Sequence, residues 1–122
     1  MMKMPDDDHR IAAVLHDVVE DTPWTLQGLY VEGFSDTIID AVEYLTHLED
    51  EGYETYIGRM IGDAYLGFEG AKIALHVKLA DLEDNMDVFH NMKFTTAGLK
   101  RYLKAVKAIK RTLDTVEGGD HV

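Results

Sequence analysis

Residues 71–89 constrain this chain more than any other stretch. Ile73, Ala74, Leu75, Val77, Leu79, Ala80, Leu82 and Met86 leave little polar face on a helix drawn through them. A helix that is apolar on most sides is a central one, which other elements must cover. At 122 residues the chain is long enough to do this as one domain. It contains no cysteine, which rules out disulfides, zinc fingers and thiol nucleophiles. Asp81 is the exception on this helix. A buried carboxylate is costly unless a cation or well-aligned hydrogen bonds meet it.

The rest of the sequence reads as helices able to surround that segment. Asp6, Asp7 and Asp8 suit a helix start, and Ile11, Val14, Leu15, Val18 and Val19 form its apolar stripe to about Glu20. Thr22-Pro23 ends it, because the residue before proline is pushed out of the α region. Thr25 caps a short helix, Leu26 to Tyr30, closed by Gly33, and Ser35 caps a third with Ile38, Ala41, Val42 and Leu45 inward. After a charged turn at 49–52, Tyr53, Tyr56, Ile57, Met60, Ile61 and Ala64 keep strict helical spacing. Tyr65 to Gly70 reads as a loop whose Tyr65, Leu66 and Phe68 dock elsewhere. Thr95 or Thr96 caps a last helix with Leu99, Tyr102, Leu103, Val106, Ile109 and Leu113 facing inward. Neither strand alternation nor an internal repeat is evident. The expected fold is all-α, a compact bundle of five to six helices over residues 1–116, with a disordered tail at 117–122.

Net charge of −11 argues against nucleic-acid binding, which relies on basic surface. No apolar run approaches the roughly 18–20 residues of a membrane span, and no signal peptide is evident, so a cytoplasmic location is expected. Six of the twelve basic residues lie between Lys100 and Arg111, leaving 20 acids against 6 bases in the first 99 residues. Such a body suits a cation, and a phosphate substrate would need a metal or local basic group to offset repulsion.

The chemistry concentrates in Val14-Leu15-His16-Asp17-Val18-Val19-Glu20-Asp21-Thr22. On a helix His16 shares a face with Glu20, and Asp17 with Asp21. An imidazole beside carboxylates suits a divalent metal, and a further carboxylate pair can handle protons. Taken alone, the stretch reads more simply as a solvated acidic helix end.

That stretch resembles the metal-binding segment of the HD-domain phosphohydrolases, and more narrowly the hydrolase domain of the RelA/SpoT family of guanosine tetra- and pentaphosphate enzymes. Val77-Lys78-Leu79-Ala80-Asp81-Leu82-Glu83-Asp84-Asn85-Met86 resembles the later segment of the same family. The resemblance covers roughly Ile11 to Asp87. It implies an HD-domain helical bundle in which His16, Asp17 and Asp81 ligate one divalent ion, most often Mn²⁺. It further implies that Glu20 and Asp21 are the catalytic acidic pair that positions and deprotonates water, and that Asn85 contacts the nucleotide substrate. Lys78 is a further candidate for reaching a phosphate. The implied reaction is attack of water on phosphorus with release of pyrophosphate from a nucleotide's 3′ position.

Two departures qualify what the resemblance implies. The family's metal site has another histidine on a helix well upstream, whereas fifteen residues precede His16 here. His9 is no substitute, because seven helical residues separate it from His16 by about 10.5 Å. A site of three protein ligands is therefore expected. An N-terminally shortened bundle would also expose apolar surface, which favours homo-oligomers. In addition, Leu82, Glu83 and Asp84 stand where the family usually has arginine, leucine and histidine, which makes the pocket less suited to a highly phosphorylated nucleotide. The alternative expectation is a catalytically silent module that binds a nucleotide or a partner protein. His47, His76, His90 and His121 lack a paired carboxylate at ligand spacing, Tyr53 and Tyr56 read as packing residues, and the basic last helix reads as a solvated face.

Overall fold

The computed structural model describes residues 7–46, 51–84 and 96–118, which form six helices and no strand. These are α1 (Asp7–Asp21), α2 (Leu26–Val31), α3 (Asp36–Leu45), α4 (Tyr53–Tyr65), α5 (Glu69–Asp84) and α6 (Thr96–Gly118). Helix α5 packs against α1, α3, α4 and α6, most extensively against α3. The all-α bundle with a central fifth helix is therefore the observed architecture.

Local chemistry sets the boundaries. Thr22 Oγ1 donates to Val18 O at 2.6 Å and accepts from Trp24 N at 3.2 Å, turning the chain out of α1 ahead of α2. Thr25 Oγ1 accepts from Gly28 N, and Ser35 Oγ from Ile38 N, so both expected caps form. Helices α2 and α4 end alike. Gly33 and Gly67 take φ of 102° and 97°, and the next residue's N–H reaches back to the helix, Phe34 to Leu29 O and Phe68 to Asp63 O. This is the Schellman arrangement, in which a left-handed residue lets the last carbonyls find donors.

The main core joins Leu45, Met60, Leu75, Val77 and Ile109, all essentially inaccessible to solvent. Each such side chain contributes about 2 kcal/mol by leaving water. A smaller cluster of Leu15, Leu29, Ile38 and Val42 fastens α1 and α2 to α3. Two polar links tie the frame together. Tyr56 Oη donates to Leu45 O at 2.6 Å, and Arg59 grips Glu51 through Nε and Nη2 at 2.9 and 3.0 Å.

Several sequence expectations shift. The loop after α4 shrinks to Leu66, Gly67 and Phe68, because the Schellman turn lets α5 begin at Glu69. Leu66 is 75% exposed, and Tyr65 and Phe68 are also exposed, so these residues do not dock on the bundle. Val14 is 61% exposed, because the buried face of α1 runs instead through His9, Ala12, Leu15 and His16. On α6, Leu99 and Leu103 are exposed, and Tyr102, Ala105, Ile109, Thr112 and Leu113 form the inner face. Glu117 and Gly118, expected in the tail, belong to α6, where Glu117 Oε1 lies 2.7 Å from His76 Nε2. The proposed extension of α5 to Phe89, and the Thr95 cap, fall outside the described residues.

The crossing of α3 over α5 depends on Gly70. A Cβ there would stand 2.7 Å from Asp40 Cβ and 3.2 Å from Ala41 N, and backbone cannot yield as a flexible side chain does. Gly70→Ala is expected to cost about 1–3 kcal/mol, read as a lower Tm. Gly62→Ala, where an added Cβ meets nothing within 4 Å, should be neutral or stabilising. A second test concerns Tyr44, whose hydroxyl donates to Asp63 Oδ2 at 2.6 Å. Burial, and then that bond to Asp63, push the phenol up from 10.0 to about 12. The native state then keeps a proton that the unfolded chain loses, so this contribution to stability falls as pH rises from 10.0 to about 12. Denaturant titrations of Tyr44→Phe should show a shallower decline over that window than wild type.

Candidate functional site

The site forms where α1 lies against α5. The i, i+4 relation on α1 brings Glu20 Oε2 to 2.8 Å from His16 Nε2. The two atoms are in contact but not aligned as a hydrogen bond, and Nε2 is shielded from solvent with no other partner among the described residues. His16 is only 8% exposed, so α1 presents a buried ring nitrogen whose lone pair or proton is not properly used. Such an atom needs an explanation, because buried polar groups are nearly always satisfied.

Across the packed pair, Asp81 is half-buried on α5. Burial raises its pKa above the ordinary 3.8, opposed by the charges of Lys78 and His16 and reinforced by those of Asp17 and Asp84. The fold has therefore brought Asp81 within electrostatic reach of both His16 and Asp17. Asp17 is exposed, its Oδ1 4.0 Å from His16 Nδ1. Asp21, on the solvent side of the α1 terminus, is exposed as well. Asn85 lies outside the described residues. The donor types fit a divalent ion, since an unsatisfied imidazole nitrogen and carboxylates are its usual ligands. Their spacing is another matter. Among the described residues no three His, Asp or Glu side chains converge closely enough to hold a metal ion.

Tyr56 was read from the sequence as packing, and it is a wall of this site as well. Its ring lies beneath Lys78 Nζ at 5.4 Å and Arg59 Cζ at 5.9 Å. Burial, then the charge of Glu20, push its phenol well above the ordinary range, and Asp81 adds to the effect. Its proton is committed to Leu45 O. Tyr56 therefore shapes the site and holds Lys78 without acting as an acid. The signal for this was absent from the sequence, because Tyr56 sits in register with the apolar stripe of α4.

His9 and His76 are accounted for elsewhere. Their rings meet edge to face at 4.7 Å, and His76 Nε2 contacts Glu117, fastening α1, α5 and α6 together. The carboxylate partner that spacing denied to His76 comes from a residue 41 positions away. His47, His90 and His121 lie outside the described residues. No helix among the described residues is long and apolar enough to cross a membrane. No protein-family model matches the chain, and no curated protein matches it.

The burden carried by Asp81 is measurable. An acid whose pKa is raised on folding destabilises the fold when ionised, and that cost disappears below its unfolded pKa. Asp81→Asn should therefore raise Tm at pH 7 in chelator, with the gain shrinking as pH falls toward 3.8. A lower Tm at pH 7 would mean that the carboxylate is a net structural asset.

Proposed function

We propose that this chain is a metal-dependent phosphohydrolase acting on a nucleotide, in its narrowest form a hydrolase of a guanosine 3′,5′-bis(diphosphate)-like 3′-pyrophosphate. One observation carries the proposal: a buried, unsatisfied His16 Nε2 within electrostatic reach of a desolvated Asp81. His16, Asp17 and Asp81 would hold the ion, Mn²⁺ in this reading. When bound, it supplies positive charge against the phosphoryl oxygens and acidifies water. In a chain of net charge −11, a metal or local basic groups must offset the repulsion of a phosphate ester.

The chain's own residues divide the remaining work. Glu20 and Asp21 orient the attacking water and take its proton as the new oxygen–phosphorus bond forms. The bond from phosphorus to the 3′ oxygen breaks, the proton passes to that oxygen, and pyrophosphate leaves. Glu20 is in contact with His16 Nε2, and His16 would have to part from it to serve as a ligand. Lys78, held over Tyr56, offsets negative charge on the substrate. Asn85 follows Asp81 by four residues and is the remaining candidate for a substrate contact.

A second reading has its own support. The lack of three converging donors among the described residues favours a silent module that binds a nucleotide or partner without turnover. Pyrophosphate and phosphate release from a nucleotide panel with Mn²⁺ separates the two. The hydrolase reading expects turnover that chelator abolishes. His16→Ala and Asp17→Ala should each lower it by more than the roughly 10–100-fold typical of losing an outer-shell partner. Equal rates in wild type and both variants would exclude the proposed site, and nucleotide binding with no turnover would favour the silent module.

A further inference from the structure

Two cavities adjoin one another beside Lys78, and Tyr53 and Arg101 line both. One, of about 260 Å³, is a largely apolar groove between α4 and α6 with Ile57, Ile61, Ala105 and Ala108 in its walls, joined by the mutually paired Glu54 and Lys104. The other, of about 250 Å³, opens among α4, α5 and α6 and adds Lys78, Leu82 and Tyr102. Together they reach the size of a small-molecule site, roughly 300 Å³ upward.

The cations at this junction differ from the others near it. Arg59 is occupied by Glu51, Lys104 by Glu54 at 3.3 Å, and Lys110 by Glu83 at 3.3 Å. Among the described residues no carboxylate lies within 4.0 Å of Lys78 or Arg101. In a chain with 23 acids and 12 bases, two such cations facing one cavity form a local positive site in a negative field. Lys78 also stands one turn before Asp81 on α5, so an anion at Lys78 lies next to the carboxylates of the candidate site.

We infer that the double cavity is the nucleotide-holding part of that site, an inference that rests on the nucleotide reading above. Lys78 and Arg101, from α5 and α6, grip phosphate oxygens between them. The groove of α4 and α6 takes the base, with the Tyr53 ring at the junction. A guanidinium fork matches phosphate geometry, and an aromatic and aliphatic wall suits a planar ring. Arg101 thereby becomes a substrate-binding residue on a helix whose basic character reads from sequence as solvation alone.

Equilibrium binding of guanosine 5′-diphosphate in chelator tests this without relying on the metal. Arg101→Ala is expected to weaken binding about tenfold or more, with Arg101→Lys recovering part of the loss. Lys78→Ala should weaken it similarly. Lys107→Ala, which removes one charge from the exposed face of the same helix, should bind as wild type. Pyrophosphate alone should bind at least about tenfold more weakly than the nucleotide, because it leaves the groove empty. No detectable binding to the wild type, unchanged affinity in Arg101→Ala and Lys78→Ala, or equal affinity for pyrophosphate would each overturn the inference. None of these outcomes alters the Mn²⁺-dependent rates of His16→Ala and Asp17→Ala, so the pocket and the hydrolase reading fail separately. Unchanged Tm in Arg101→Ala confirms that a loss of binding is local.

Discussion

A helix that is apolar on most sides has to be largely covered, and α5 packs against α1, α3, α4 and α6, with Glu69 and Glu83 left to solvent. Leu75 and Val77 disappear from solvent, and Gly70 brings α3 close enough that a single added carbon would strike its backbone. The other helices then have little freedom. Their apolar faces turn toward α5, and the Schellman turns at Gly33 and Gly67 set how abruptly the chain returns. The same enclosure desolvates Asp81, the one acid on the inner length of α5. Structural burial and chemical tension at the site have one cause.

That tension is met from α1. His16 is buried by the packing that buries Ala12 and Leu15, and its Nε2 is left facing Glu20 without a proper hydrogen bond. A purely structural histidine usually finds a partner, as His76 does with Glu117. The contrast between the two rings separates a tie from a candidate ligand. One closes α1, α5 and α6 at one place, and the other meets Glu20 at 2.8 Å without hydrogen-bond alignment.

Much of the fold was legible because helix caps and periodicity are local. Thr25 and Ser35 announce their helices by residue type, and Ile38, Ala41, Val42 and Leu45 are buried as their spacing requires. Spacing fails where two stripes compete for one core. On α1, Ala12 and His16 take the inner face, and Val14, more apolar than either in its position, points to water. On α6, small Ala105 and Thr112 fit the bundle more closely than Leu99 or Leu103. Motif order singled out His16, Asp17 and Asp81, and the fold brings them within electrostatic reach of one another without three donors converging among the described residues. The contact of Tyr56 with Lys78 and the cavity wall formed by Arg101 were not legible there, because they depend on residues of other helices that no local pattern can name.

The placement of positive charge completes the physical picture. Salt bridges at the surface of α6, such as Lys104–Glu54 and Lys110–Glu83, are exposed on both sides and contribute little to stability. Lys78 and Arg101, which line one cavity, have no such partner within 4.0 Å among the described residues. Lys78 lines the cavity one turn before Asp81, and its charge lowers the cost of ionising that carboxylate. A ligand anion at Lys78 would remove part of that relief, leaving Asp81 more in need of a second positive charge.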